Sequence, residues 1–225
     1  MITNEKIVNL IRKIKNPRFY STYDLFRNFT MIYPPNYVAN LNLAESVTSI
    51  SGAIVECGTW KGGMIAGIAT YLGKNREYYL FDSFEGLPPV ESVDGPAAKK
   101  WQENTESPTY FDNCKASESD ALKAMALAGI ENPKLIKGWF EDTLPKVTFP
   151  KGIALLRMDA DWYKSTYQIL ESLFPYVKQG GLILIDDYYT WDGCSKAVHD
   201  YLSLHKRPER ISSYKGVCYM VKKES

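Results

Sequence analysis

Ile153-Ala154-Leu155-Leu156-Arg157-Met158 runs straight into Asp159-Ala160-Asp161, and Leu182-Ile183-Leu184-Ile185 runs into Asp186-Asp187. Each apolar run has the length of a strand buried on both faces of a parallel sheet, and each closes on a pair of carboxylates. In an open parallel sheet the carboxyl ends of the strands border the crevice where ligands bind. Up to four carboxylates (Asp159, Asp161, Asp186 and Asp187) therefore converge on one rim. Like charges so placed repel unless a cation sits among them, and oxygen ligands suit a hard divalent ion such as Mg²⁺. The competing reading makes them solvated turn and cap residues, a common use of Asp. Two pairs after two apolar runs favour a metal rim beside a cofactor site.

Upstream, Ala53-Ile54-Val55-Glu56-Cys57-Gly58 reads as the first buried strand, followed by Thr59-Trp60-Lys61-Gly62-Gly63 and a helix from Met64 to Leu72. Strand, glycine turn and helix open a nucleotide-binding α/β domain, with the backbone close to the ligand and the helix N-terminus aimed at it. The spacing is Glu-x-Gly-x-x-x-Gly-Gly rather than Gly-x-Gly-x-x-Gly. An acidic residue just before the turn suits a cofactor without a pyrophosphate. The second strand, Glu77 to Phe81, ends at Asp82, some two dozen residues beyond Gly58, where an acidic residue typically binds ribose hydroxyls. Together these features point to an adenosine-type cofactor.

Strand and helix signals alternate through five strands. The third is Pro133 to Gly138, after an Ala- and Leu-rich helix from Ser119 to Ala128; the Tyr163 to Val177 helix, stopped at Gln179-Gly180-Gly181, separates the two runs that end in Asp pairs. A helix from Cys194 to Leu204 follows, and Arg210 to Tyr214 and Val217 to Val221, split by Lys215-Gly216, read as a hairpin. Alternation predicts an α/β fold with a mostly parallel sheet covered on both faces. A parallel sheet ending in a reversed strand is the Rossmann-like architecture of class I methyltransferases, which use S-adenosylmethionine.

The whole chain, 1–225, reads as a single domain: a helical extension or lid over 1–45 and a catalytic core over 50–225. Ile2, Ile7, Val8, Leu10, Ile11 and Ile14 form an amphipathic helix, a packing face against the domain or a second subunit in a homo-oligomer. Residues 18–38 are rich in aromatics and serve either as a lid over a substrate pocket or as plain packing. A helix is expected from Leu41 to Ser49, and a long surface loop with some helix from Glu91 to Cys114. Trp139 suits either an adenine ring or the core. His199 and His205, lying on or after the last helix, read as surface or packing residues.

Apolar residues make up 45% of the 225 and charged ones 24%, an ordinary globular balance. A net charge of +1 gives no reason to expect nucleic acid as a partner. No apolar run approaches membrane-spanning length and the start lacks a signal-peptide core, so a cytoplasmic location is expected. Cys57, Cys114, Cys194 and Cys218 form no CxxC pair and read as reduced, mostly buried thiols.

Five stretches occurring in order carry a resemblance: Val55-Glu56-Cys57-Gly58-Thr59-Trp60-Lys61-Gly62-Gly63; Phe81 to Pro88; Gly138-Trp139-Phe140-Glu141-Asp142-Thr143-Leu144-Pro145; Leu156 to Thr166; and Gly180 to Tyr188. From about Ile50 to Tyr201 the chain resembles the macrocin (tylosin-type) sugar O-methyltransferase family, whose members methylate sugar hydroxyls of antibiotics with S-adenosylmethionine and Mg²⁺. The resemblance implies metal ligation by Asp159, Asp186 and Asp187, and Asp161 as general base. It implies a cofactor held by Glu56, Gly58, Thr59, Gly62 and Asp82, with Ser83, Trp139 and Asp159 beside it. The implied acceptor is a small-molecule hydroxyl on a sugar or glycosylated natural product.

The chemistry fits these residue types. Methyl transfer from a sulfonium needs an oxygen nucleophile about 3 Å from the methyl and freed of its proton. A divalent cation acidifies a sugar hydroxyl, and Asp161, on the side of Asp159 by the period of two, can take the proton. Catechol methyltransferases carry a lysine three positions beyond the first metal ligand; Trp162 stands there instead, which favours an alcohol acceptor. An NAD-type oxidoreductase is disfavoured by the glycine spacing and by the lack of a hydride-transfer constellation. A non-catalytic scaffold member is disfavoured by the retained carboxylates, because an empty acidic cluster is destabilising.

Overall fold

Apolar alternation and glycine punctuation produce the elements in the order expected. The computed structural model describes residues 16–224. Helices α1 (Pro17–Phe26) and α2 (Pro34–Ala44) precede strand β1 (Ala53–Cys57), α3 (Gly63–Leu72) and β2 (Tyr78–Asp82). Helices α4 (Gly95–Glu103) and α5 (Glu118–Leu127) lead to β3 (Lys134–Lys137), β4 (Ile153–Met158), α6 (Tyr163–Leu173) and β5 (Val177–Ile185). Helix α7 (Asp192–Leu204) and strands β6 (Ser212–Tyr214) and β7 (Val217–Val221) complete the described chain. The amphipathic helix expected at Ile2 to Ile14, with its subunit contact, lies outside the described residues.

The seven strands lie in the order β3-β2-β1-β4-β5-β7-β6. Pairs among the first five are parallel; β7 runs antiparallel to β5 and to β6. The order reverses between β1 and β4, and the switch point of such a sheet is where its ligand crevice opens. Pleating sorts the side chains between two apolar layers. Ile54, Leu80, Leu155 and Leu184 pack under α1, α2, α3 and α5. Val55, Phe81, Leu156, Ile183 and Ile185 pack under α6 and α7.

Two boundaries differ from the sequence reading. The helix expected from Leu41 starts at Pro34, because Pro34-Pro35 occupies the first turn, where a missing N–H is harmless. Helix α6 ends at Leu173: Pro175 lies in a tight turn, and Gln179-Gly180-Gly181, expected to stop the helix, lies inside β5. The stretch from Glu91 to Cys114, read as a surface loop with some helix, carries helix α4 and is tied down. Asp94 is 2% exposed, and Gln102 bonds both Pro88 O and the Val90 N–H. Cys57, Cys194 and Cys218 are buried thiols.

Gly58 and Gly73 share a left-handed backbone, φ 82° and 84°. A Cβ on Gly58 would fall 1.6 Å from the Asp159 carbonyl oxygen, whereas one on Gly73 meets nothing within 4 Å. Alanine at either position carries the backbone penalty of about 1 kcal/mol; only at Gly58 must β1 and β4 also separate. Thermal melts are expected to show Gly58→Ala losing well beyond the roughly 2–4 °C that 1 kcal/mol represents, and Gly73→Ala staying near it. Equal losses would contradict the crowding.

Candidate active site

Backbone bonding continues one residue past four strands and lines up their tips. Gly138 N–H donates to Asp82 O, Gly58 N–H to Phe81 O, Asp159 N–H to Cys57 O and Asp186 N–H to Met158 O, each at 2.9 Å. Above these tips opens a cavity of about 760 Å³, walled by Glu56, Gly58, Thr59, Asp82, Ser83, Trp139, Asp159, Asp161, Asp186 and Asp187 among others. Of the residues singled out in the sequence, Gly62 alone is off this wall. It starts α3 in the left-handed region, and its absent Cβ makes room for Ala121 Cα; Gly63 lines the cavity in its place.

On the β1–β2 side, Asp82 is held by two backbone donors, Trp60 N–H on Oδ2 at 2.7 Å and Phe84 N–H on Oδ1 at 2.6 Å. Each oxygen keeps a lone pair for a further donor, as a ribose diol requires. Burial raises the Asp82 pKa against these bonds. The Ser83 hydroxyl is occupied by its own turn, donating to Gly86 O and accepting from Glu85 N–H. Glu56 is 1% exposed, and its Oε2 has no hydrogen-bond partner. A buried, unpartnered carboxylate oxygen on a cavity wall fits a cationic ligand group such as an ammonium. Burial pushes the Glu56 carboxyl up to about 8, opposed by Arg157.

On the β4–β5 side, Asp159, Asp161 and Asp187 each place a carboxylate oxygen within 4.8 Å of the others. The sequence grouped Asp159, Asp186 and Asp187 as ligands, with Asp161 apart. The structure brings Asp161 close to Asp159 and Asp187 as well, and Asp186 Oδ1 lies 2.6 Å from Arg157 Nη2. Nor does the pleat orient Asp161, because β4 ends at Met158. Asp161 sits at φ 55° in a three-residue turn closed by Trp162 N–H on Ala160 O at 2.6 Å, a strained conformation. Its N–H donates to Asp187 Oδ2 at 3.0 Å, and its Oδ1 accepts from the Trp191 indole at 2.9 Å. Three convergent hard oxygen donors fit a divalent cation such as Mg²⁺. Burial and mutual repulsion push Asp159 up to about 6, Asp161 up to about 8 and Asp187 well above the carboxylate range.

Two features of the site, Arg157 and a tryptophan cluster, were missed in the sequence; the 18–38 stretch, read as a lid or as packing, contributes to both the cavity wall and the core. Arg157 is 1% exposed within β4, and its Nη1 donates to Glu56 Oε1 and Asp159 Oδ2, both at 2.9 Å. Phe29 to Tyr33, between α1 and α2, line the cavity; α1 and α2 themselves are built into the apolar layer. Trp101, Trp162 and Trp191 meet edge to face with centroids 5.3–6.1 Å apart. With the buried Asp94 accepting from Tyr163 N–H at 2.7 Å, they fasten the 91–103 segment beside the carboxylates. His199 and His205 pair with Tyr188 and Glu171, off the cavity wall.

A seven-stranded sheet of this order, with its crevice at the switch point and an acidic residue ending β2, is the class I methyltransferase fold. The solved structure of the O-methyltransferase NovP superposes with a TM-score of 0.73 at 26% identity, covering 87% of this chain and 83% of that one. The family model described as Macrocin-O-methyltransferase (TylF) matches residues 30–223, and the chain belongs to that family. It is 32% identical over 196 residues to the 8-demethyl-8-(2,3-dimethoxy-alpha-L-rhamnosyl)-tetracenomycin-C 4'-O-methyltransferase of Streptomyces olivaceus, covering 80% of this chain and 68% of that protein. Demethyldecarbamoylnovobiocin O-methyltransferase of Streptomyces niveus is 32% identical over 159 residues, 68% of this chain and 59% of that protein. The chain thus spans between 59% and 68% of the length of these curated relatives. Among the described residues no helix is long and apolar enough to cross a membrane.

The raised carboxyl pKa values set a stability trend for the cation-free protein. Groups protonated in the folded state near pH 6 but ionised in the unfolded chain give stability that is lost as pH rises through their folded values, about 6 to 8. In EDTA the melting temperature is expected to fall from pH 6 to pH 8, and saturating Mg²⁺ to flatten the fall. A melting temperature in EDTA that holds steady or rises over that range would contradict the charge excess.

Proposed function

We propose that this chain is an S-adenosylmethionine- and Mg²⁺-dependent O-methyltransferase acting on a hydroxyl of a small molecule, a sugar or glycosylated natural product. One observation carries the reading: the orphan oxygen of Glu56 and the doubly held Asp82 share a cavity with the Asp159–Asp161–Asp187 cluster. Asp82 takes the ribose hydroxyls and Glu56 the ammonium end of the donor. When bound, the donor supplies an electrophilic methyl on a cationic sulfur. Asp159 and Asp187 would hold the cation, which would supply Lewis acidity toward the acceptor hydroxyl, and Asp161 stands beside them as the base.

Trp191 fixes one Asp161 oxygen, and Asp161 accepts the acceptor's proton as the methyl is transferred. The 29–33 loop and the 88–91 segment enclose the acceptor and exclude water. Carboxylates on the wall far outnumber its two cations, Arg157 and Lys164. Such a wall favours a neutral or cationic acceptor over one bearing a diphosphate.

Purified protein given labelled S-adenosylmethionine and a panel of neutral glycosides is expected to transfer methyl with Mg²⁺ and to stop in EDTA. Absence of transfer from every acceptor in either condition would defeat the reading. Asp161→Asn is expected to lower kcat by roughly 10²–10⁴-fold, the usual worth of a general base, with the donor KM held; an unaffected kcat assigns the proton elsewhere. Calorimetry on Asp82→Ala is expected to show donor affinity reduced by about 1.5–3 kcal/mol, the range for hydrogen bonds to a charged group. Unchanged affinity would misplace the ribose.

A further inference from the structure

We propose that Arg157 is a positioning residue that sets the donor half and the cation half of the site from one guanidinium. This rests on the functional reading above and assigns a role to a residue that reading leaves unused. Arg157 and Glu56 are register partners across β4 and β1, with side chains 1% and 2% exposed. Nη1 is shared between Glu56 Oε1 and Asp159 Oδ2, and Nη2 lies 2.6 Å from Asp186 Oδ1.

A guanidinium is a rigid planar fork, so the two carboxylates hydrogen-bonded to Nη1 and the one ion-paired at Nη2 are set from one plane. Gripping Glu56 by Oε1 leaves Oε2 as the unpartnered oxygen on the donor wall. Gripping Asp159 by Oδ2 leaves its other oxygen for the rim, and drawing Asp186 aside separates it from the Asp159–Asp161–Asp187 cluster. Partners behind metal-binding carboxylates typically govern affinity without touching the metal. Here the same group stands behind both ligands. Lysine at this position keeps the charge but cannot hold three directions.

The test is calorimetric binding of S-adenosylhomocysteine, which carries no methyl to transfer, and paramagnetic titration of Mn²⁺, on wild type and three variants. Arg157→Lys is expected to weaken both ligands about tenfold or more, the range for losing such a supporting partner, while melting cooperatively. Glu56→Gln is expected to weaken S-adenosylhomocysteine alone, and Asp187→Asn to weaken Mn²⁺ alone. In turnover the same split appears: Arg157→Lys raises the donor KM and lowers kcat, whereas Glu56→Gln raises only the donor KM.

Arg157→Lys that leaves either affinity within about twofold of wild type, well inside that range, overturns the inference and leaves the functional reading standing. A wild type that binds neither ligand overturns both. If Arg157→Lys fails to fold, Arg157→Gln combined with Glu56→Gln removes both buried charges between the two strands. Its Mn²⁺ affinity is then compared with that of Glu56→Gln alone: a further loss of about tenfold supports the role, and equality overturns it.

Discussion

The interaction on which the site depends is the buried ion cluster around Arg157. One guanidinium faces Glu56, Asp159 and Asp186, and Asp161 and Asp187 lie just beyond Asp159. Taking a charge out of water is expensive unless it is paired, and the charge of Arg157 is offset by three carboxylates, although its Nε and Nη2 make no hydrogen bond. The carboxylates are not offset in turn, since one positive charge cannot neutralise the five negative ones. Burial and mutual repulsion therefore raise Glu56, Asp159, Asp161 and Asp187 together. A cavity with this imbalance is a receptor for cations, and a sulfonium donor with its ammonium group and a divalent ion are both cationic.

Backbone strain is concentrated at the same rim. Trp60, Phe84 and Asp161, each just past a strand tip, have φ of 49°, 56° and 55°, a region that residues with a Cβ adopt at a penalty. The strain at Trp60 and Phe84 aims their N–H groups at Asp82. The strain at Asp161 aims its N–H at Asp187 and its carboxylate at the Trp191 indole. Two apolar layers and the aligned tips beneath hold these conformations in place.

Much of this was legible in the chain, for local reasons. Apolar runs bounded by Gly, Pro and Asp marked β1, β4 and β5, and the glycine turn after β1 with Asp82 after β2 located the crevice. What escaped involved partners distant in sequence. Arg157 stood in an apolar run and was read as part of it, although a charge in one buried run and Glu56 in another imply a pair. Period two places Glu56 on the face of Ile54, Arg157 on that of Leu155 and Asp186 on that of Leu184, all toward the same layer. The turn that swings Asp161 into the cluster has no signature in residue type.

Family membership places the chain among O-methyltransferases, and the proposed cation-assisted mechanism rests on the carboxylate rim. Anomalous scattering from crystals grown with Mn²⁺ and S-adenosylhomocysteine examines that rim directly. The expected result is a manganese peak within bonding distance of Asp159 and Asp187 and beside Asp161, with Arg157 still holding Glu56 and Asp186. A peak coordinated elsewhere, or well-ordered S-adenosylhomocysteine with no peak among these carboxylates, would contradict it.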